Sequence, residues 1–142
     1  MNKTGEIIIV EDDADDRELL KVMLEELNVP NKISMFNDGL HAYNYFNNTD
    51  KDPFLIISDI NMPLMNGMQL RDKMQQLGEL RLRTVPFLFL TTGAPDNNVI
   101  QAYAHSVQGF FVKPTSFNVF KDTLKTIIDY WTKCKEPVFY KE

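Results

Sequence analysis

The sequence has 142 residues, of which 44% are hydrophobic and 25% are charged, which is typical of a single globular domain with its own core. Its net charge of -5 and the lack of a basic run argue against nonspecific binding to nucleic acid. A single cysteine, Cys134, excludes a disulfide framework, and no apolar run approaches the roughly 20 residues that cross a membrane. We therefore expect a cytoplasmic protein that has no secretory signal and does not bind membranes.

The first half of the chain alternates between predicted strands and helices. Residues 7–10 form a β-branched run that predicts a buried strand, and apolar residues at helical spacing over 20–27 predict the helix that follows. Residues 32–36 alternate between polar and apolar types, which is typical of an edge strand. A short helix is predicted over 40–46, and a third strand over 54–58.

The second half continues this alternation. Apolar residues at helical spacing predict a helix over 70–77, before a fourth strand at 87–90. A helix over 99–103, a fifth strand at 110–112 and a long amphipathic helix over 117–131 complete the pattern. Strands separated by helices become parallel neighbours with right-handed crossovers. The sequence therefore predicts an α/β fold, a five-stranded parallel sheet with helices on both faces.

Polar side chains follow the strands at their carboxyl ends, which meet at one rim of a parallel sheet. Glu11 and Asp12 follow the first strand, Asp59 the third, Thr91 the fourth and Lys113 the fifth. Clustered carboxylates favour a divalent cation, and oxygen ligands suit magnesium. Magnesium and Lys113 would neutralise phosphoryl oxygens, and Thr91 would donate a hydrogen bond. These residues therefore predict that Asp59 is a nucleophile that forms an aspartyl phosphate.

Four stretches, IIIVEDD, SDINMPLMNG, FLFLTTG and GFFVKP, carry a family resemblance. Through them, residues 5 to about 132 resemble the receiver domain of bacterial two-component response regulators. The resemblance implies a flavodoxin-like, doubly wound sheet of strand order 2-1-3-4-5, with a receiver domain over 1–133 and a C-terminal tail over 134–142. It also implies a phosphoacceptor that promotes its own aspartyl phosphorylation and dephosphorylation, and not an enzyme in the usual sense.

The same resemblance assigns roles to the strand-end residues. It implies that Asp59 accepts a phosphoryl group from a phosphohistidine on a sensor histidine kinase or a phosphotransfer protein, with magnesium as the cofactor. The metal ligands that it implies are Asp12, Glu11 through a water molecule, Asp59 and the backbone carbonyl of Asn61. Thr91 matches the switch hydroxyl of the family, and Lys113 matches its phosphate-pairing lysine. Lys113-Pro114 matches a position where the family has a cis peptide.

Phe110 departs from the common pattern of the family, which often has a switch tyrosine there. The ring can still move between two positions, but it has no hydroxyl to hydrogen-bond in either. No DNA-binding domain follows, so we expect output through protein contacts, made by the fourth helix, the fifth strand and the last helix. A downstream protein and a second copy of the chain are the expected partners. The last helix, Trp131 and the segment 138–140 resemble stand-alone receivers paired with phytochrome-type sensor kinases.

Simpler interpretations apply to several acids near the first helix. Asp13 is expected to cap this helix, and Asp15 and Asp16 are expected in its first turn on a solvated face. Two other functions stay open, a receiver-fold adaptor that is never phosphorylated and a metal-dependent phosphohydrolase. The complete set of strand-end side chains argues against the adaptor, which does not need them. No recognisable substrate-pocket residues support the phosphohydrolase.

Overall fold

A five-stranded parallel sheet with helices on both faces forms the part of the chain that the computed structural model describes, residues 1–93 and 95–138. The strands are β1 (Ile7–Val10), β2 (Ile33–Phe36), β3 (Leu55–Ser58), β4 (Phe87–Thr91) and β5 (Gly109–Val112). The helices are α1 (Ala14–Glu26), α2 (Gly39–Asn48), α3 (Gly67–Gln75), α4 (Leu80–Arg83), α5 (Asp96–Ala104) and α6 (Phe117–Lys133). The predicted fold class is confirmed.

The strand order is β2-β1-β3-β4-β5, and all neighbouring strands are parallel. The register places Val10 opposite Ser58, and Thr91 opposite Val112. The residues that follow β1, β3, β4 and β5 are therefore carried to the same edge of the sheet. The predicted rim of polar side chains exists because all its strands run in one direction.

The sheet separates two hydrophobic layers, because successive side chains of a strand point to opposite faces. Ile7 and Ile9 of β1 pack with α1 and α6 on one face, whereas Ile8 and Val10 pack with α2, α3 and α5 on the other. The same alternation in β3 and β4 buries these strands completely. Burial on both faces explains why these strands are continuous apolar runs in the sequence.

The short helix α4 was not predicted, because four residues are too few to display a helical period. Leu82 points from this helix into the core, where it is buried. Arg81 donates hydrogen bonds to the backbone oxygens of Thr49 (2.6 Å) and Lys51 (2.5 Å). Helix α4 therefore stabilises the connection between α2 and β3.

The helix α5 includes the predicted range of residues 99–103 and begins three residues earlier. Ile100 and Tyr103 are 68% and 54% exposed, and Ala102 is the residue that packs in the core. Arg71 of α3 anchors the end of this helix by donating to the carbonyl oxygens of His105 (3.0 Å) and Ser106 (2.5 Å). No helix within 1–93 or 95–138 combines the length and the apolar content that a membrane crossing requires.

Candidate functional site

A polar cleft of about 470 Å³ opens at the carboxyl edge of the sheet. It brings together six of the seven predicted site residues, which are Glu11, Asp12, Asp59, Asn61, Thr91 and Lys113. Phe110, the seventh, lies outside the cleft. The remaining walls of the cleft are formed by Asp13, Ala14, Asp16 and Thr92.

Three carboxylates of the cleft lie close enough to share one cation. Glu11, Asp12 and Asp59 each offer an oxygen, and the three oxygens lie within 4.8 Å of one another. Glu11 and Asp59 are buried, whereas Asp12 is exposed and faces the opening. Oxygen donors with one open side suit magnesium, which keeps part of its water shell. The donor set therefore fits the predicted magnesium ion.

The turn between β1 and α1 holds the acidic pair in place. Asp13 caps the helix as predicted, because its carboxylate accepts from the backbone N–H groups of Asp15 (2.9 Å) and Asp16 (3.0 Å). Arg17 donates to the carbonyl oxygens of Glu11 (2.7 Å) and Asp12 (2.9 Å). Sequence reasoning missed Arg17, because nothing in the spacing of an exposed-looking arginine shows that it folds back over the turn.

Lys113 is the one ammonium group that the structure places within this cleft, and its side chain is only 5% exposed. Its Nζ atom donates to Glu11 Oε2 at 2.7 Å, to Asp16 Oδ2 at 2.9 Å and to Asp59 Oδ2 at 3.5 Å. Asp16 was expected on a solvated face, but its side chain is only partly exposed and also contacts the cleft. The first turn of α1 passes beside the cleft, so the carboxylate of Asp16 reaches Lys113.

The pKa values of Glu11 and Lys113 are both raised, for different physical reasons. Burial raises the pKa of Glu11, to about 7, and repulsion by Asp59 adds to this, while Lys113 opposes it. Burial alone would lower the pKa of Lys113, but hydrogen bonds to Asp16 and Glu11 and the nearby acids raise it overall. Both pKa values are raised because several carboxylates share one ammonium group: the acids repel one another, and together they stabilise the charged lysine.

The carboxylate of Asp59 is held by its own backbone surroundings. Its N–H donates to Val10 O (2.9 Å), and Oδ1 accepts from the N–H of Ile60 at 2.7 Å. The other oxygen, Oδ2, is directed toward Lys113 and the cleft. This arrangement leaves one carboxylate oxygen of Asp59 facing a site where an electrophile can approach.

The two predicted switch residues occupy different places. Thr91 ends β4, is buried and lines the cleft. Phe110 lies in β5 opposite Phe89, and the two rings pack edge to face with centroids 6.1 Å apart. The peptide before Pro114 is trans, so the cis peptide that the resemblance implied is not found.

A sequence model of the response regulator receiver domain matches residues 7–125. The chemotaxis protein CheY-3 of Vibrio cholerae is 30% identical over 129 residues, which cover 91% of this chain and 95% of that protein. These matches span all five strands of the sheet.

Two solved structures share the fold. The phosphorylated cyanobacterial phytochrome response regulator RcpA superposes with a TM-score of 0.76 at 24% identity, covering 90% of this chain and 94% of that one. The receiver domain of the sensor histidine kinase PA1611 from Pseudomonas aeruginosa, which has magnesium in its active site cleft, gives 0.74 at 21% identity over 91% and 98%. At such identities the likeness establishes the fold alone.

Proposed function

Because the chain belongs to the response regulator receiver domain family, we propose that it accepts a phosphoryl group on Asp59 in two-component signalling. The donor would be a phosphohistidine on a sensor histidine kinase or on a phosphotransfer protein. The observation that carries this proposal is the buried carboxylate of Asp59, directed into a cleft beside two acids and the ammonium of Lys113. The magnesium-bound PA1611 receiver, which has the same fold, supports the choice of cofactor.

The reacting atom would be an oxygen of the Asp59 carboxylate. It forms a bond to phosphorus while the bond between phosphorus and the histidine nitrogen breaks, and that nitrogen keeps the electron pair. Lys113 would pair with one phosphoryl oxygen, and the hydroxyl of Thr91 would donate to another. Hydrolysis of the acyl phosphate by water would then return Asp59 to its free form, so the domain would govern its own dephosphorylation.

Four oxygen ligands would hold magnesium beside the reacting carboxylate. They are Asp12, Glu11 through a water molecule, Asp59 and the backbone carbonyl of Asn61, which lies on the exposed wall of the cleft. When bound, the ion supplies positive charge that neutralises the phosphoryl oxygens. Arg17 would act on this set indirectly, by holding the backbone that carries Glu11 and Asp12.

The signal would leave through protein contacts in the cytoplasm. The face formed by α5, β5 and α6 would bind a downstream protein or a second copy of the chain, as the sequence predicts. The segment Phe139–Tyr140 was expected to contribute to this face, and it lies outside the described residues. The alternative is an adaptor that is never phosphorylated. Uptake of a phosphoryl group in the following experiment would exclude it.

Incubation with acetyl phosphate and magnesium tests the proposal directly. Intact-mass measurement should detect one labile phosphoryl adduct on the wild-type protein and none on Asp59→Asn. Asp122→Asn is the matched control, because Asp122 is exposed on α6 and should leave the adduct unchanged. A wild-type protein that takes up no phosphoryl group, or an adduct that persists in Asp59→Asn, would contradict the assignment.

A further inference from the structure

All three N–H donors of the Lys113 ammonium group are directed at carboxylates in the unphosphorylated protein. A lysine side chain carries three N–H donors and no acceptor. In this structure the three donors face three carboxylates, with distances of 2.7 Å to Glu11, 2.9 Å to Asp16 and 3.5 Å to Asp59. A phosphoryl group on Asp59 would add further acceptors to the same ammonium, so at least one of the existing bonds must weaken.

The two short bonds differ in how easily they can be given up. The side chain of Glu11 is 3% exposed, and losing Lys113 would leave its carboxylate buried next to other acids. The side chain of Asp16 is 35% exposed, so water can replace Lys113 around its carboxylate at a smaller cost. Asp16 is therefore the partner that is exchanged most easily.

We propose that Asp16 is a positioning residue that holds Lys113 in the unphosphorylated state and competes with the phosphoryl group for it. This inference rests on the proposed function, because the competition requires a phosphoryl group on Asp59. Asp16 lies in the first turn of α1, and Lys113 follows β5 at the far side of the cleft. Exchange of this bond would also release a link between α1 and the loop that leads to α6.

The measurement that tests this competition is beryllofluoride binding at saturating magnesium, followed by NMR. Beryllofluoride serves as the phosphoryl analogue. Asp16→Asn should tighten its binding about three- to tenfold, because one charged competitor for Lys113 is removed. Asp16→Glu, which keeps the carboxylate on a longer stem, should restore binding to within about twofold of wild type.

Asp15→Asn is the matched control, because it removes the same charge from the adjacent, exposed position in the same helical turn. It should change beryllofluoride affinity by less than about twofold, since charges in water are screened. Magnesium affinity measured alone should change equally in Asp15→Asn and Asp16→Asn, because Asp16 is not one of the three clustered carboxylates. Structural damage would weaken binding, so tightening separates competition from misfolding.

Two results would overturn the inference. The first is beryllofluoride binding in Asp16→Asn that is no tighter than in Asp15→Asn, and the second is a tightening that magnesium affinity explains completely. In both cases the wild-type protein still binds the analogue, and the proposed function stands. Absence of beryllofluoride binding in the wild-type protein would instead refute the proposed function itself.

Discussion

The carboxylate of Glu11 is buried against two other acids and has one ammonium group within hydrogen-bond distance. Its raised pKa, about 7, means that it keeps a proton at a pH where an ordinary glutamate is ionised. A magnesium ion and its water ligands require the ionised form. Binding of the metal is therefore expected to be coupled to release of a proton from this residue.

This coupling predicts that magnesium affinity depends on pH near neutrality. Because the pKa is raised, the carboxylate becomes available only as the pH rises through about 7, and affinity should fall about tenfold between about pH 8 and about pH 6. Glu11→Gln cannot ionise and should show a much flatter profile with weaker binding. Titration calorimetry at several pH values measures both, and equal wild-type affinity at the two extremes would contradict the prediction.

At the scale of elements, the connection from β3 to α3 controls the position of Asp59, the proposed phosphoacceptor. Gly67 begins α3, and its N–H donates to Ile60 O at 2.8 Å. A Cβ atom at Gly67 would lie 2.3 Å from the carbonyl oxygen of Asp59 and 2.7 Å from a ring carbon of Phe89. The helix therefore packs directly against the backbone of Asp59, which any side chain at this position would displace.

Gly67→Ala should destabilise the protein by about 1–3 kcal/mol and slow phosphorylation of Asp59, because the clash involves backbone that cannot move aside. Gly78→Ala is the matched control, since a Cβ there meets nothing within 4 Å. That variant should be neutral or stabilised by up to about 1 kcal/mol. Urea denaturation and acetyl phosphate kinetics measure the two effects, and equal behaviour of both variants would rule out the proposed packing role of Gly67.

At the scale of the whole molecule, the cleft and the expected signalling face share two strands. Thr91 lines the cleft and pairs with Val112, while Phe89 and Phe110 pair two residues earlier in the same strands. Val112 is exposed, as are Ile100 and Tyr103 on α5. Movement of Thr91 toward a phosphoryl group would therefore change the packing of Phe110 and the conformation of this exposed face.

Beryllofluoride should shift NMR signals on α5, β5 and α6 as well as in the cleft. New charge-assisted hydrogen bonds should draw Thr91 and Lys113 inward, and Phe110 should become more buried in the space left behind. Without a hydroxyl on Phe110 to secure either position, the two states should differ by only a few kcal/mol, with the minor state populated in the free protein.

Thr91→Ser keeps the hydroxyl and should preserve the distant shifts, whereas Thr91→Ala should bind the analogue and lose most of them. Sedimentation of the same samples tests whether the change of face alters self-association. Shifts confined to the cleft, with unchanged sedimentation and unchanged affinity for the kinase, would contradict the switch. The protein would then act as an adaptor or as a phosphate sink.

Local sequence patterns predicted the strands to within one residue at each end. The signal is clearest in β1, β3 and β4, because these runs are buried on both faces and consist almost entirely of apolar residues. The same reasoning missed α4, and it did not show which residues of α5 are buried. Ile100 and Tyr103 satisfy a helical period but remain exposed, because Arg71 and the small side chain of Ala102 already complete the contact with the core. Periodicity identifies a helix, whereas burial depends on what the neighbouring elements leave uncovered.

The sequence by itself determined which side chains meet at the rim. Strand direction follows from alternating strands and helices, so Glu11, Asp59, Thr91 and Lys113 had to share one edge of the sheet. Tertiary structure alone decided that Asp16 reaches Lys113, because that contact depends on how α1 crosses above the strand ends. Distances between side chains on separate elements arise from packing of the whole core, which no local pattern in the sequence encodes.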